Sequence, residues 1–188
     1  YHIRACKGSD YTPVIGKLNE WWGGREINMM LPRLFFDHFQ STSFVAVATG
    51  SMEQRSLEEL EPTKLETTEV DDQIWAFLCG FLSPTKVGQA YVHFVGVDPT
   101  HRGKGIGRRL YEEFFLAATR RGCNHVRCVT SPVNVSSQRF HMRLGFVPVP
   151  ASPVSSISNT REGGDKPIVH VDYDGPGEHR IILEKTLM

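Results

Sequence analysis

The sequence lacks an excess of charge of either sign and any long apolar run. Its 188 residues carry 21 Lys and Arg against 21 Asp and Glu, so the strong basic field typical of nucleic-acid-binding proteins is missing. No apolar run approaches the roughly 18 residues that a membrane-spanning helix requires, and the first residues do not read as a secretory signal. These absences predict a soluble, cytoplasmic protein with neither a nucleic-acid nor a membrane partner.

Cysteine is scarce, and its spacing matches no known metal site. The four cysteines form no Cys-x-x-Cys pair and no ligand pattern with the histidines; they are Cys6, Cys79, Cys123 and Cys128. Such usage is typical of a reduced intracellular protein, and we expect no metal. The length fits one domain, residues 1–188. The acidic, polar stretch at about 50–72 has almost nothing to bury, which predicts a solvated loop insertion; an acidic interaction surface is the alternative.

Apolar residues alternate between strand and helix periods along the chain, which predicts an α/β fold. The predicted strands are residues 1–5, 43–48, 74–82, 89–97, 125–130, 168–173 and 180–183. The predicted helices are residues 10–22, 27–39, about 134–144, and one that begins near Ile106 and ends before Gly122.

A glycine-rich segment, Arg102-Gly103-Lys104-Gly105-Ile106-Gly107, lies between the strand 89–97 and the helix that begins near Ile106. Unpaired N–H groups and the helix dipole converge on an anion at such a turn, and glycines permit its close approach. The spacing fits neither a Walker loop nor a dinucleotide fingerprint. The segment therefore predicts a phosphate site of another kind, with an ordinary tight turn as the alternative.

A second motif makes this pattern more specific. Arg102-x-x-Gly105-x-Gly107 resembles the central motif of the GNAT superfamily of N-acetyltransferases. The downstream segment resembles the next motif of that family; it reads Asn134-x-x-Ser137-x-x-Phe140-His141-x-x-Leu144-Gly145-Phe146. The resemblance implies a GNAT fold, in which a mixed central β-sheet is flanked by helices and the strands 89–97 and 125–130 splay apart as its fourth and fifth strands.

The resemblance also implies acetyl-CoA as the cosubstrate, bound between the splayed strands. The backbone of Val95, Gly96 and Val97 would pair with the pantetheine arm. The pyrophosphate would be held by backbone amides of Arg102, Gly103, Lys104, Gly105, Ile106, Gly107 and Arg108. Asn134 would hydrogen-bond the cofactor arm, with Ser137 of the same motif beside it. The alternative for Asn134 is an ordinary helix N-cap.

Two histidines are the candidate catalytic residues. His141 stands where many family members carry a tyrosine, so the resemblance implies that it protonates the departing thiolate; packing on the helix face is the alternative. Strand alternation would put His93 on one face with Tyr91, Val95 and Val97. There it resembles a strand histidine of the serotonin N-acetyltransferases, which implies a general base for the incoming ammonium. A core histidine with a satisfied hydrogen bond is the alternative.

The resemblance implies transfer of an acetyl group from acetyl-CoA to a primary amine, by direct transfer without an acyl-enzyme. We expect the partner to be a small-molecule amine. The resemblance places six residues where the family builds the acceptor wall, with core packing as the alternative for most of them: Trp21, Trp22, Met29, Met30, Phe35 and Phe36. Two alternatives are a protein or peptide N-acetyltransferase and a non-catalytic acyl-CoA-binding module. Assembly as a homodimer is left open by the sequence.

Overall fold

The computed structural model describes residues 1–49, 73–150 and 168–187 of the chain. The predicted acidic insertion at about 50–72 lies outside these residues. Seven strands are described: β1 (His2–Ala5), β2 (Phe44–Val47), β3 (Ile74–Leu82), β4 (Gln89–Val97), β5 (His125–Thr130), β6 (Val147–Pro148) and β7 (Ile181–Thr186). The α-helices are α1 (Tyr11–Trp21), α2 (Leu34–His38), α3 (Ile106–Thr119) and α4 (Val135–Arg143).

The strands form one mixed sheet in the order β1-β2-β3-β4-β5-β7-β6. Among these seven described strands only β4 and β5 run parallel, and their pairing is limited to Gln89–Tyr91 against His125–Arg127. Beyond these pairs β4 continues to Val97 and β5 to Thr130 without pairing with each other, while β5 pairs along its whole length with β7. The expected α/β sheet with splayed fourth and fifth strands is therefore confirmed.

Helices cover both faces of the sheet because each has an apolar stripe at helical spacing. On one face, α3 buries Leu110, Tyr111 and Phe114 in a cluster with Phe146. On the other face, α1 buries Leu18 in a second cluster that includes α2. None of the helices in the described ranges is long and apolar enough to cross a membrane.

The predicted helix over 27–39 is in fact two shorter elements. A 3₁₀ turn covers Asn28–Met30 and α2 begins only at Leu34. Pro32 lies between them, and a proline lacks the N–H that would continue a helix through this point.

The predicted strand over 168–173 was wrong, apart from a single bridge between His170 and Arg180. Asp172 adopts a left-handed conformation with φ of 53°, which breaks an extended run. The edge of β7 is instead covered by β6, a two-residue strand that the sequence analysis missed.

A β-bulge in β4 changes the faces of its side chains. Cys79 pairs with Phe94 and Gly80 pairs with Val92, so His93 is an extra residue without a partner in β3. His93 packs on Phe35 of α2, whereas Val95 and Val97 pack in the α3 cluster. The expectation that these three residues share a face was wrong, because a bulge shifts the alternation of a strand by one residue.

Candidate functional site

The splay opens a cleft of about 750 Å³ beside β4. Its walls come from the end of α1, from the last residues of β4, from the turn before α3 and from α4. The indole of Trp22 lies directly over Gly96, where an added Cβ would come within 2.7 Å of the ring. The predicted site residues that line it are Val95, Gly96, Val97, Arg102, Gly103, Gly105, Ile106, Gly107, Arg108, Asn134, Ser137 and His141.

The turn between β4 and α3 presents a row of backbone amides. Gly103 and Gly105 have φ of 76° and 78°, a left-handed conformation that favours glycine. Within the described ranges, the amides of residues 103–108 have no acceptor. Three of them belong to the first turn of α3, where the helix dipole also favours negative charge. This arrangement can bind a phosphate or another anion.

The charged side chains that line the described part of the cleft are all positive, namely Arg25, Arg102, Arg108 and Arg143. Arg102 is already engaged: its Nε donates to the Val97 carbonyl at 3.0 Å and an Nη donates to the Trp21 carbonyl at 2.6 Å. Its guanidinium therefore joins the ends of β4 and α1. Lys104, a predicted site residue, is exposed and does not line the cleft.

Asn134 lies at the start of α4, where its Oδ1 accepts the Ser137 amide at 3.2 Å and the Ser136 hydroxyl at 3.1 Å. The N-cap interpretation is thus correct for this oxygen. The Nδ2 group makes no hydrogen bond within the described ranges and can still donate to a ligand. Both Asn134 and Ser137 line the cleft.

His141 lies at the cleft wall but is only 4% exposed. Its Nδ1 lies 2.7 Å from the Ser137 carbonyl, which can only accept, so Nδ1 carries the proton. Its Nε2 then accepts from the Tyr111 hydroxyl, 2.7 Å away. Burial lowers the pKa of His141, although the hydrogen bond to Ser137 opposes this shift. The ring is therefore neutral and hydrogen-bonded at both nitrogens.

His93 lies outside the cleft lining, on an exposed surface of β4. The ring stacks on Phe35, with centroids 4.7 Å apart. Its Nε2 lies 2.8 Å from the Met30 carbonyl and must donate to it. In the neutral ring, Nδ1 is then an acceptor, and within the described ranges it has no hydrogen-bond partner. This nitrogen can accept a proton from a ligand or a water.

Sequence reasoning missed Tyr111, which is fully buried and whose hydroxyl contacts His141. Its place on the apolar face of α3 resembles ordinary core packing, so no sequence signal distinguishes it. Burial raises the pKa of Tyr111 far above its usual value. Across the described residues, no cluster of three or more His, Cys, Asp or Glu side chains could hold a metal ion.

A family model described as the acetyltransferase (GNAT) family matches residues 32–146. N-alpha-acetyltransferase 40 of Saccharomyces cerevisiae is 36% identical over 101 residues, 48% of this chain and 35% of the relative. An L-2,4-diaminobutyric acid acetyltransferase of Halalkalibacterium halodurans is 27% identical over 74 residues, 39% of each chain. The chain thus spans little more than a third of the length of these relatives.

The fold is also similar to that of solved acetyltransferases. A diaminobutyrate acetyltransferase from Paenibacillus lautus, in complex with L-2,4-diaminobutyric acid and coenzyme A, superposes with a TM-score of 0.59. It is 15% identical in sequence, and the match covers 97% of this chain and 93% of that one. At this identity the similarity concerns the fold alone.

Proposed function

The chain belongs to the GNAT acetyltransferase family, and on this premise we propose that it transfers an acetyl group from acetyl-CoA to a primary amine. The observation that carries the proposal is the row of unpaired amides at residues 103–108, beside the cleft opened by the splay of β4 and β5. An anion site next to a cleft of about 750 Å³ fits a pyrophosphate joined to an extended arm. The named relatives, all acetyltransferases, support the same activity.

Each element beside the cleft would hold a different part of the cofactor. The amides of 103–108 would bind the pyrophosphate, with positive charge from Arg108 beside them. The unpaired edge of β4 at Val95–Val97 would pair with the pantetheine arm, and the Asn134 carboxamide would donate to it. Acetyl-CoA would supply an activated thioester, so no acyl-enzyme and no protein nucleophile are required.

His93 is the proposed general base. An amine arrives mainly as ammonium at neutral pH and must lose a proton before it attacks. The Met30 carbonyl occupies Nε2 of His93 and leaves Nδ1 free to take that proton, directly or through a water. The bulge favours this role, because it turns the ring away from the α3 cluster to an exposed surface.

His141 is the proposed hydrogen-bond donor to the departing thiolate. Its neutral ring carries one N–H, at Nδ1, which would share its hydrogen bond between the Ser137 carbonyl and the sulfur. Because loss of this proton would leave an imidazolate, the ring would keep it and stabilise the thiolate, which would take its proton from water. Tyr111 would continue to donate to Nε2 and would keep the ring in this tautomer.

The acceptor is proposed to be a small molecule with a primary amine, as in the diaminobutyric acid acetyltransferase. A peptide N-terminus is the second candidate, and the identity to N-alpha-acetyltransferase 40 favours it. Both acceptors present the same nucleophile to His93. They differ in the surface that the remainder of the acceptor would contact.

The experiment uses the full chain with acetyl-CoA, and thiol release is followed with a colorimetric reagent. The panel is tyramine, L-2,4-diaminobutyric acid, lysine and the peptide Ala-Gly-Ala-Gly with a free amino terminus. Amine-dependent CoA release is expected, highest with a small amine. CoA at 100 times its Kd should also stabilise the fold by about 2.7 kcal/mol in a thermal melt. Stabilisation without turnover would leave a non-catalytic acyl-CoA-binding module, and no stabilisation at millimolar CoA would refute the cofactor site.

A further inference from the structure

The turn that contacts His93 is hydrogen-bonded by the side chain of one residue, Asn19. This residue lies in the last turn of α1, which ends at Trp21. Its Oδ1 accepts two backbone amides, those of Ile27 at 2.9 Å and Asn28 at 3.0 Å. A single carboxamide oxygen thus fixes the start of the segment that leads into the 3₁₀ turn Asn28–Met30.

The backbone of Asn19 fixes the other end of the same loop. Its carbonyl accepts the Gly24 amide at 2.8 Å, and Gly23 and Gly24 both adopt left-handed φ angles. Residues 24–28 are therefore closed into a loop on one side chain and one carbonyl of α1. Within the described residues, this loop forms no helix or strand before the 3₁₀ turn at Asn28.

The closed loop places the Met30 carbonyl within hydrogen-bond distance of His93. Met30 donates its amide to the Ile27 carbonyl at 2.9 Å, so the position of Ile27 sets that of Met30. The Met30 carbonyl in turn accepts from Nε2 of His93 at 2.8 Å. Met30 is half exposed, while Leu31 after it is buried and Ile27 before it packs against the second cluster. Packing therefore holds both ends of the turn, and the two hydrogen bonds accepted by Asn19 add a directional restraint on the group that selects the tautomer of His93.

We propose that Asn19 is a positioning residue for His93: through the 27–30 turn it keeps the Met30 carbonyl on Nε2, and so keeps Nδ1 as the proton acceptor. This inference rests on the proposed function insofar as it concerns catalysis. Without the restraint, the imidazole can place its proton on either nitrogen. The Nδ1–H tautomer cannot accept a proton at Nδ1, so the rate falls in proportion to its population.

Two substitutions of Asn19 test whether its oxygen acceptor or only the shape of its side chain is required. Asn19→Leu removes the acceptor and keeps a similar volume, while Asn19→Asp keeps an oxygen acceptor for both amides. Val14→Ala is the matched control, because Val14 is fully buried on the same helix and its side chain cannot hydrogen-bond the amides of the turn. It should weaken the packing of α1 and leave the Met30 carbonyl in place.

The first readout is the nitrogen-15 NMR shift of the His93 ring at a pH where it is neutral, measured on the full chain without ligand. The wild type and Asn19→Asp should show the Nε2–H tautomer, and Asn19→Leu a mixture. The second readout is kcat with saturating acetyl-CoA and the panel amine of highest kcat/KM. Asn19→Leu should lower kcat about twofold, as for an even mixture of the two tautomers, with the KM for acetyl-CoA unchanged, and Asn19→Asp should restore most of it.

A wild-type tautomer and kcat in Asn19→Leu would overturn the inference, as would an equal loss of kcat in Val14→Ala. Failure of the proposed base is recognised separately through His93→Gln. If that variant keeps full kcat, His93 is not the base and the catalytic part of the inference falls with it. The tautomer measurement would still decide whether Asn19 controls the His93 ring.

Discussion

Replacing Gly105 by aspartate and by asparagine gives a matched test of the anion site. Gly105 is the N-cap of α3 with φ of 78°, so both side chains must adopt the left-handed region, which Asn and Asp tolerate better than most residues. A Cβ at this position would meet nothing within 4 Å. Both variants should therefore fold, with a similar loss of about 1 kcal/mol in the free energy of unfolding.

The two variants differ only in charge, so the ratio of their CoA affinities reports the electrostatic environment of the turn. At a separation of about 6 Å, repulsion between the carboxylate and one phosphate charge is about 0.7 kcal/mol in bulk water and about 2.8 kcal/mol at the effective dielectric of a protein surface. This energy corresponds to a Kd about 3-fold to 100-fold weaker for Gly105→Asp than for Gly105→Asn.

Isothermal titration calorimetry with CoA at low salt measures both Kd values, and thermal melts check that the variants are equally folded. The difference should shrink at high salt, because the site is exposed to solvent. Equal Kd values for the two folded variants would refute the argument: the glycines would then form a turn between β4 and α3 and nothing more.

Three further predictions concern the buried His141–Tyr111 pair. His141→Phe should lower kcat by about 10²-fold with the Kd for CoA nearly unchanged; full kcat in steady-state assays would mean that the ring only packs. Tyr111→Phe should lower the free energy of unfolding in urea by about 1–3 kcal/mol, because Nε2 of His141 loses its donor in a buried site. Tyr11→Phe, whose ring packs edge-on against Phe36, is the control, and equal losses would contradict the role of the hydroxyl. The third prediction is a pH dependence: burial lowers the pKa of His141, so the unfolded chain binds the proton more readily. The stability that the neutral ring contributes is complete above the unfolded pKa of about 6.5 and is lost as the pH falls below it, by at most about 1.4 kcal/mol per pH unit. Urea titrations from pH 7 to pH 5 should show a smaller slope for His141→Phe, and an unchanged slope would show that another group is responsible.

Much of the fold follows from patterns that are local in the sequence. The strands 74–82, 89–97 and 125–130 were predicted with the bounds that the structure has, because each is a short apolar run between turn residues. The wrong predictions lie where a local pattern is weak. The run 168–173 has strand-like residues, but no strand of the sheet pairs with it beyond the His170 bridge.

The turn proposed as the anion site is likewise a local feature, which is why its glycines can be recognised in the sequence. A strand, a turn and a helix that follow one another in the chain place the amides of 103–108 together without any distant partner. The N-cap at Asn134 is local for the same reason, since the residue that it caps is Ser137.

Only the tertiary structure decided the state of each candidate catalytic side chain. The partners are remote in sequence: Met30 lies 63 residues from His93, Tyr111 lies 30 residues from His141, and Trp21 lies 81 residues from Arg102. A tautomer depends on which donor or acceptor faces each ring nitrogen, and a pKa depends on burial. The sequence by itself therefore determined the residue types and the glycine-rich turn proposed to bind phosphate, while packing decided which nitrogen can accept a proton and which arginine is already hydrogen-bonded within the protein.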